Sequence, residues 1–194
     1  MERRLKKRLD NEGADINKAA IKIGDVAGAI GKGLIAGLIG TAAITASTMI
    51  EAKIRGREES SAPADAAAKV LGVQPKGEEE KTRFSNLVHW GYGTMWGTTR
   101  GLLGAAGLNG LLATAAHFGA VWGAALVMLP ALEIAPPAYK WGAKEIAIDA
   151  LHHLVYAAAV GLAYNFLDKG TLYENETDIW SRREDICDCI RQGR

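Results

Sequence analysis

The fold is decided by residues 84–130, which read FSNLVHWGYGTMWGTTRGLLGAAGLNGLLATAAHFGAVWGAALVMLP. This stretch contains one charged residue, Arg100, and an uncharged turn signal at Leu108-Asn109-Gly110. Two apolar segments joined by such a turn are typical of two membrane-spanning helices in a tight hairpin. We therefore predict spans over 84–107 and 111–129.

Two further apolar stretches flank this hairpin. Residues 33–50 carry no charge and residues 146–167 carry only Asp149, although the chain has 23 basic and 22 acidic residues. As a helix the first stretch is roughly 27 Å long, just enough to cross a bilayer core. Such separation of charged from apolar segments excludes a disordered chain and differs from soluble helices, which have a charged face. We predict an all-α polytopic membrane bundle with four spans, at about 33–50, 84–107, 111–129 and 145–167.

The charged residues define the domain organisation. We predict a basic N-terminal arm over 1–23, a transmembrane domain over 24–168 and a polar C-terminal tail over 169–194. The tail contains Cys187 and Cys189, whose spacing favours surface thiols over a disulfide or a zinc site. Basic residues number twelve on the side of the termini and nine in the two opposite loops. This excess favours both termini in the cytoplasm of a bacterial inner membrane.

The first loop contains a helix signal of its own. Ser61 and Pro63 form a start signal and Gly72 a stop signal, so we predict a short helix over 61–71 that lies at the membrane surface. We expect the charged segment that follows, 77–83, to be a solvated linker.

Glycines recur at four-residue steps in the predicted spans. In lipid, such rows let helix backbones approach closely, so that van der Waals contact drives association. We predict helix packing, within the chain or with a partner, and keep a glycine-lined permeation path as the alternative. The predicted packing residues are Gly33, Gly37, Gly93, Gly97, Gly101, Gly119 and Gly123.

Ionisable and polar residues also lie inside the predicted spans. Because burying an Arg or Asp in lipid costs about 2.5–3.5 kcal/mol on insertion scales, these residues should face protein or water. We expect Arg100 to neutralise Asp149 across a helix interface. The predicted intramembrane polar network comprises His89, Arg100, His117, Asp149, His152, His153 and Tyr156.

Several interpretations of the histidines stay open. Each imidazole can hydrogen-bond a neighbouring helix and do nothing else, or a chain of His, Asp and Arg can conduct protons or ions. A haem or chlorophyll site would use axial imidazoles, for which His89, His117 and His153 are candidates. A metal site needs three or four ligands at one depth, and we expect none. Phosphate-loop, H-E-x-x-H and G-x-S-x-G motifs are absent from the sequence, so we expect no enzymatic activity.

Four short motifs carry a family resemblance: His89-Trp-Gly-Tyr-Gly, Phe118-Gly-Ala-Val-Trp122, Ala135-Pro136-Pro137 and His153-Leu-Val-Tyr156. In this order they resemble the YagU-like bacterial inner-membrane proteins over roughly residues 25–168. The resemblance implies a helical inner-membrane protein and no particular activity. Members often carry an acidic pair about one turn after the tryptophan that matches Trp122. This chain has Gly123-Ala-Ala-Leu126 there, so the resemblance does not extend to an acid–base role in this region.

The sequence therefore predicts a non-enzymatic accessory or scaffold subunit of a larger membrane assembly, held through its glycine faces and docked by its tails. A small channel or a proton-linked transporter is the alternative, and haem or chlorophyll carriage the third interpretation. We expect the lipid bilayer and other membrane chains, or a second copy, as partners, and no nucleic acid.

Overall fold

A computed structural model describes side chains over residues 22–57 and 61–169, and the backbone alone over 2–21 and 170–192. The elements are α1 (Glu2–Arg55), α2 (Ala62–Leu71), α3 (Glu78–Ala105), α4 (Gly110–Ala131), a 3-10 turn (Ala138–Lys140) and α5 (Ala143–Gln192). The all-α prediction is confirmed for these described ranges. Nearly all of the predicted arm and tail, including Cys187 and Cys189, lies outside the described side chains.

The four long helices form an antiparallel bundle. Helix α1 packs along α3 and α5, and α4 packs mainly on α5. At one end Lys32 of α1 contacts Asp168 of α5, and at the other Arg55 of α1 contacts Glu145 of α5. We call these the terminal end and the loop end of the bundle.

Three of the helices are long and apolar enough to cross a membrane: Lys22–Arg55, Gly110–Ala131 and Ala143–Lys169. The chain is thus a candidate multi-pass membrane protein, and these helices contain the predicted spans 33–50, 111–129 and 145–167. The predicted second span, 84–107, is not among them. Helix α3 there is less apolar, because it carries His89 and Arg100 together with several threonines and glycines.

Glycines bring α1 and α3 into backbone contact. A methyl group built on Gly33 would lie 2.5 Å from the carbonyl oxygen of Gly97, and one on Gly37 would lie 2.9 Å from the Gly97 Cα. Gly101 approaches the Ala29 backbone in the same way, and Gly93 lies against the side chain of Thr41. A side chain at Gly33, Gly37, Gly97 or Gly101 would meet backbone and force the two helices apart.

The short connections follow turn chemistry. Gly107 and Gly110, at the α3–α4 hairpin, have φ values of 88° and 60°, which only glycine adopts without strain. The short helix in the first loop is confirmed as α2, which ends at Gly72 in the left-handed conformation. The predicted linker over 77–83 is wrong, because residues 78–83 form the first turns of α3.

Two effects favour a helix at the start of α3. Glu78, Glu79 and Glu80 occupy its first turn, where the helix dipole favours negative charge. Glu78 pairs with Lys81 at 3.0 Å and Glu79 with Arg83 at 2.6 Å, at spacings of three and four residues.

The glycine contact predicts an asymmetric response to a single methyl group. Gly97→Ala should lower the free energy of unfolding by about 1–3 kcal/mol, because the new methyl meets backbone that cannot rotate away. Gly119→Ala is the matched control, because no described atom lies within 4 Å of a methyl group there. Denaturant titration of both variants in detergent measures the difference, and equal stability would contradict the α1–α3 contact.

Candidate functional site

The interior of the bundle is polar at several depths. Arg100 and His117 have no exposed surface and His152 is 6% exposed, although each lies in an apolar stretch of sequence. Thr41 is also fully buried. Inside a membrane such groups are tolerated only where protein or water surrounds them, and here the surrounding groups come from neighbouring helices.

Arg100 lies at the terminal end of the bundle. Its Nη2 donates to the Oδ1 of Asn165 at 2.7 Å, and its guanidinium lies 4.3 Å from the centre of the Tyr164 ring. Lys32 donates to Asp168 at 2.6 Å, and its Nζ lies 6.0 Å from the centre of the same ring. Two cations, Lys32 of α1 and Arg100 of α3, therefore lie near the Tyr164 ring of α5.

The expected pairing of Arg100 with Asp149 is wrong. Asp149 lies sixteen residues before Asn165 on α5, which is roughly 24 Å along a helix. The carboxylate of Asp149 instead accepts a hydrogen bond from the indole Nε1 of Trp122 at 2.8 Å. The two charges belong to opposite ends of the bundle.

His117 occupies the middle of the bundle. Its Nε2 is 3.1 Å from the carbonyl oxygen of Trp96. Since a carbonyl only accepts, Nε2 carries the proton. Its Nδ1 has no hydrogen-bond partner within the described residues. The ring centre is 5.6 Å from that of Tyr156, whose hydroxyl donates to the carbonyl of Gly93 at 2.6 Å.

His89 contacts α1 through a threonine. Its Nε2 is 2.7 Å from Thr45 Oγ1, which itself donates to the carbonyl of Thr41 at 2.6 Å. Because a hydroxyl has one proton, the Thr45 oxygen accepts from the imidazole. Two consecutive hydrogen bonds thus connect His89 through the Thr45 hydroxyl to the backbone of α1.

His152 belongs to a charged cluster at the loop end. Its Nδ1 is 2.8 Å from Ser47 Oγ, and its Nε2 lies 3.8 Å from a carboxylate oxygen of Glu51. Arg55 contacts Glu51 of its own helix at 3.0 Å and Glu145 of α5 at 2.6 Å. The Arg55–Glu145 pair and His152 thus join α1 to α5 at the loop end. Arg57 also contacts Glu51. Glu51 and Arg55, four residues apart, thus form an ion pair on one face of α1.

His153 lies beside this cluster without joining it. Its Nδ1 donates to the carbonyl of Asp149 on its own helix at 2.9 Å, and its side chain is partly exposed. The predicted network thus separates into groups at different depths. Arg100 is at the terminal end, His117, His89 and Tyr156 lie between, and Asp149, His152 and His153 are near the loop end.

The candidate ligand set for haem or chlorophyll comprises His89 on α3, His117 on α4 and His153 on α5. Each of these imidazoles has one nitrogen in a hydrogen bond to protein, as described above. Within residues 22–57 and 61–169, no three His, Cys, Asp or Glu side chains are grouped as metal ligands. The tetrapyrrole site remains a prediction from the sequence.

The predicted packing glycines fall into two groups. Gly33, Gly37, Gly93, Gly97 and Gly101 are used in the contact between α1 and α3. Gly119 and Gly123, on α4, have no atom of the described part of the chain within 4 Å of the position a Cβ would take. Their face of α4 points away from the bundle.

An ion pair fixes α2 to the loop end. Lys69 donates to the carbonyl of Leu132 at 2.6 Å and to Glu133 at 2.9 Å. The hydrogen bond from Lys69 and its positive charge hold the pKa of the Glu133 carboxyl below its usual value. Glu133 has a φ of 56°, unusual for a residue with a side chain, so the pair also anchors a strained turn.

Sequence reasoning missed Asn165, Ser47, Thr45 and Trp122 as partners of the predicted network. Each is a polar group at helical spacing inside an apolar span, which was the only available signal. Matching these residues to their partners requires knowing how far along the bundle axis each of them lies, and a single sequence does not give that position.

No family model, curated protein or solved structure matches this chain. The class of protein that the fold defines is a helical bundle with three candidate membrane spans.

The Arg100–Asn165 bond predicts a specific loss of stability. Asn165→Leu should cost about 1.5–3 kcal/mol of unfolding free energy, because it removes the one hydrogen bond that this buried cation makes within residues 22–57 and 61–169. Asn86→Leu, the same change at an exposed position of α3, should have little effect. Denaturant titration in detergent checks both.

A second variant shows whether the loss arises from the charge. Adding Arg100→Leu to Asn165→Leu should restore part of the lost stability, since no unpaired cation remains. Additive losses in the double variant would contradict the assigned pair.

Proposed function

We propose that this protein is a non-enzymatic accessory or scaffold subunit of a bacterial inner-membrane assembly, related to the YagU-like proteins. In this proposal α3 crosses the membrane with α1, α4 and α5, and the terminal end faces the cytoplasm. The contact of α3 with α1 from Gly93 to Gly101 supports a fourth span, because it packs the part of the less apolar helix that contains the buried Gly97, Arg100 and Gly101 against α1.

The outer face of α4 is the observation that carries the proposal. Leu112, Ala115 and Gly119 are exposed on it, followed by Gly123 and by Val127, which is 72% exposed. This face repeats the small-residue spacing that joins α1 to α3, but no described helix covers it. A glycine inside a helix costs about 1 kcal/mol relative to alanine, and close packing against a partner helix offsets that cost.

A photo-crosslinking residue on this face tests the proposal. Placed at Leu112 in the full chain, it should form a protein adduct of defined mass in native membranes. Placed at Leu162, a 74% exposed residue of α5, it should meet lipid only. Gly119→Leu should abolish the Leu112 adduct without changing the thermal stability of the purified chain.

Two crosslinking results would refute a partner on α4: no protein adduct at Leu112, or equal protein adducts at Leu112 and Leu162. The adduct mass then distinguishes a second copy from a different chain.

Proton-linked transport is a second candidate function, which the order of polar side chains inside the bundle favours. From the loop end inward these are His152 with Glu51, then His89, then His117 with Tyr156. Arg100, with Lys32 and Asp168 beyond it, completes the series at the terminal end. Hydrogen bonds and ion pairs connect members to α1, α3 or α5 at each depth.

Liposome measurements test this second function. Purified protein in vesicles with an internal pH-sensitive dye should pass protons under an imposed potential, and His89→Ala or His152→Ala should reduce the rate at least tenfold. His153→Ala is the matched control, because its ring is bonded to its own helix and lies beside the series. Flux equal to that of empty vesicles would exclude proton conduction.

A further inference from the structure

The guanidinium of Arg100 has more hydrogen-bond donors than the structure satisfies. It carries five N–H groups, and its Nη2 bonds Asn165. Its Nε and Nη1, which hold three of the five, are buried and have no partner among the residues that the structure describes. A cation whose donors are unsatisfied away from water is costly, so a missing acceptor is expected here.

Among the described side chains near Tyr164, positive charge exceeds negative charge. Lys32 and Arg100 supply two positive charges, and Asp168 supplies one negative charge. The Asp168 carboxylate pairs with Lys32 at 2.6 Å, and no described acidic group forms an ion pair with Arg100. The described cation without an ion pair is therefore also the residue with the unsatisfied donors.

We propose that the terminal end binds an anionic phosphate group between Arg100 and Lys32. An arginine fork matches the oxygen geometry of phosphate, and a lysine adds a second positive charge. Lys32 and Asp168 have side chains that are 22% and 37% exposed, so the site borders the bundle surface. The ligand reaches Arg100 by displacing the Tyr164 ring, which packs on the guanidinium.

Two sources can supply this chemistry, the headgroup of an anionic lipid and free phosphate. The full chain, purified in a neutral detergent, is titrated separately with phosphatidylglycerol, phosphatidylcholine and inorganic phosphate. Native mass spectrometry and thermal shift measure binding. Binding of phosphatidylglycerol alone assigns a lipid site, whereas binding of inorganic phosphate as well assigns a general phosphate site.

Two variants should change affinity in opposite directions. Asp168→Asn removes the competing carboxylate and should tighten binding at least tenfold. Lys32→Gln releases Asp168 to pair with Arg100 and should weaken binding at least tenfold. Lys69→Gln, at the opposite end of the bundle, is the charge-matched control and should leave affinity unchanged.

These variants keep the proposal testable even if Arg100→Gln does not fold, because Lys32 and Asp168 lie at the margin of the bundle. The proposal is overturned if neither anion binds, if phosphatidylcholine binds as tightly as phosphatidylglycerol, or if Asp168→Asn and Lys32→Gln shift affinity in the same direction. It is also overturned if all the variants bind equally.

Discussion

The backbone contact between α1 and α3 is the constraint on which the rest of the bundle depends. In lipid, helices have no hydrophobic drive to associate, and close van der Waals contact is what holds two of them together. Gly33, Gly37 and Gly97 permit that approach by having no side chain. Helix α5 then lies against both partners, and the Tyr156 hydroxyl reaches the Gly93 carbonyl on α3 while the Tyr156 ring lies against Gly40 of α1.

The same arrangement explains how a membrane bundle holds buried ionisable groups. At each depth a polar side chain on one helix has an acceptor or donor on another, such as Thr45 for His89 and Asn165 for Arg100. The charged residues at the loop end form bridges between α1 and α5 through Arg55. Arg100 fits this pattern only in part, because its bond to Asn165 leaves its Nε and Nη1 without a partner among the described residues.

Much of the fold was predictable because charge and apolarity are segregated along the chain. The hairpin at Leu108-Asn109-Gly110 and the short helix before Gly72 follow from local turn chemistry. Helix α3 was harder, since it carries His89 and Arg100 together with several threonines and glycines, and these residues make it less apolar than the three candidate spans. The pairing of Arg100 and the outward face of Gly119 depend on the depth and rotation of whole helices, which no local pattern specifies.

The two ion pairs that join α1 to α5, one at each end of the bundle, affect how the chain assembles during synthesis. Lys32 and Asp168 are 136 residues apart in sequence, and Arg55 and Glu145 are 90 apart. At a synthesis rate of about 5–20 residues per second, roughly 5–30 s pass between synthesis of the α1 residue and synthesis of its α5 partner. Until α5 is synthesised, α1 and α3 can pack together, but Arg100 has no hydrogen bond from its side chain to Asn165. A pause late in synthesis would lengthen the time that the Arg100 guanidinium spends without the Asn165 side chain.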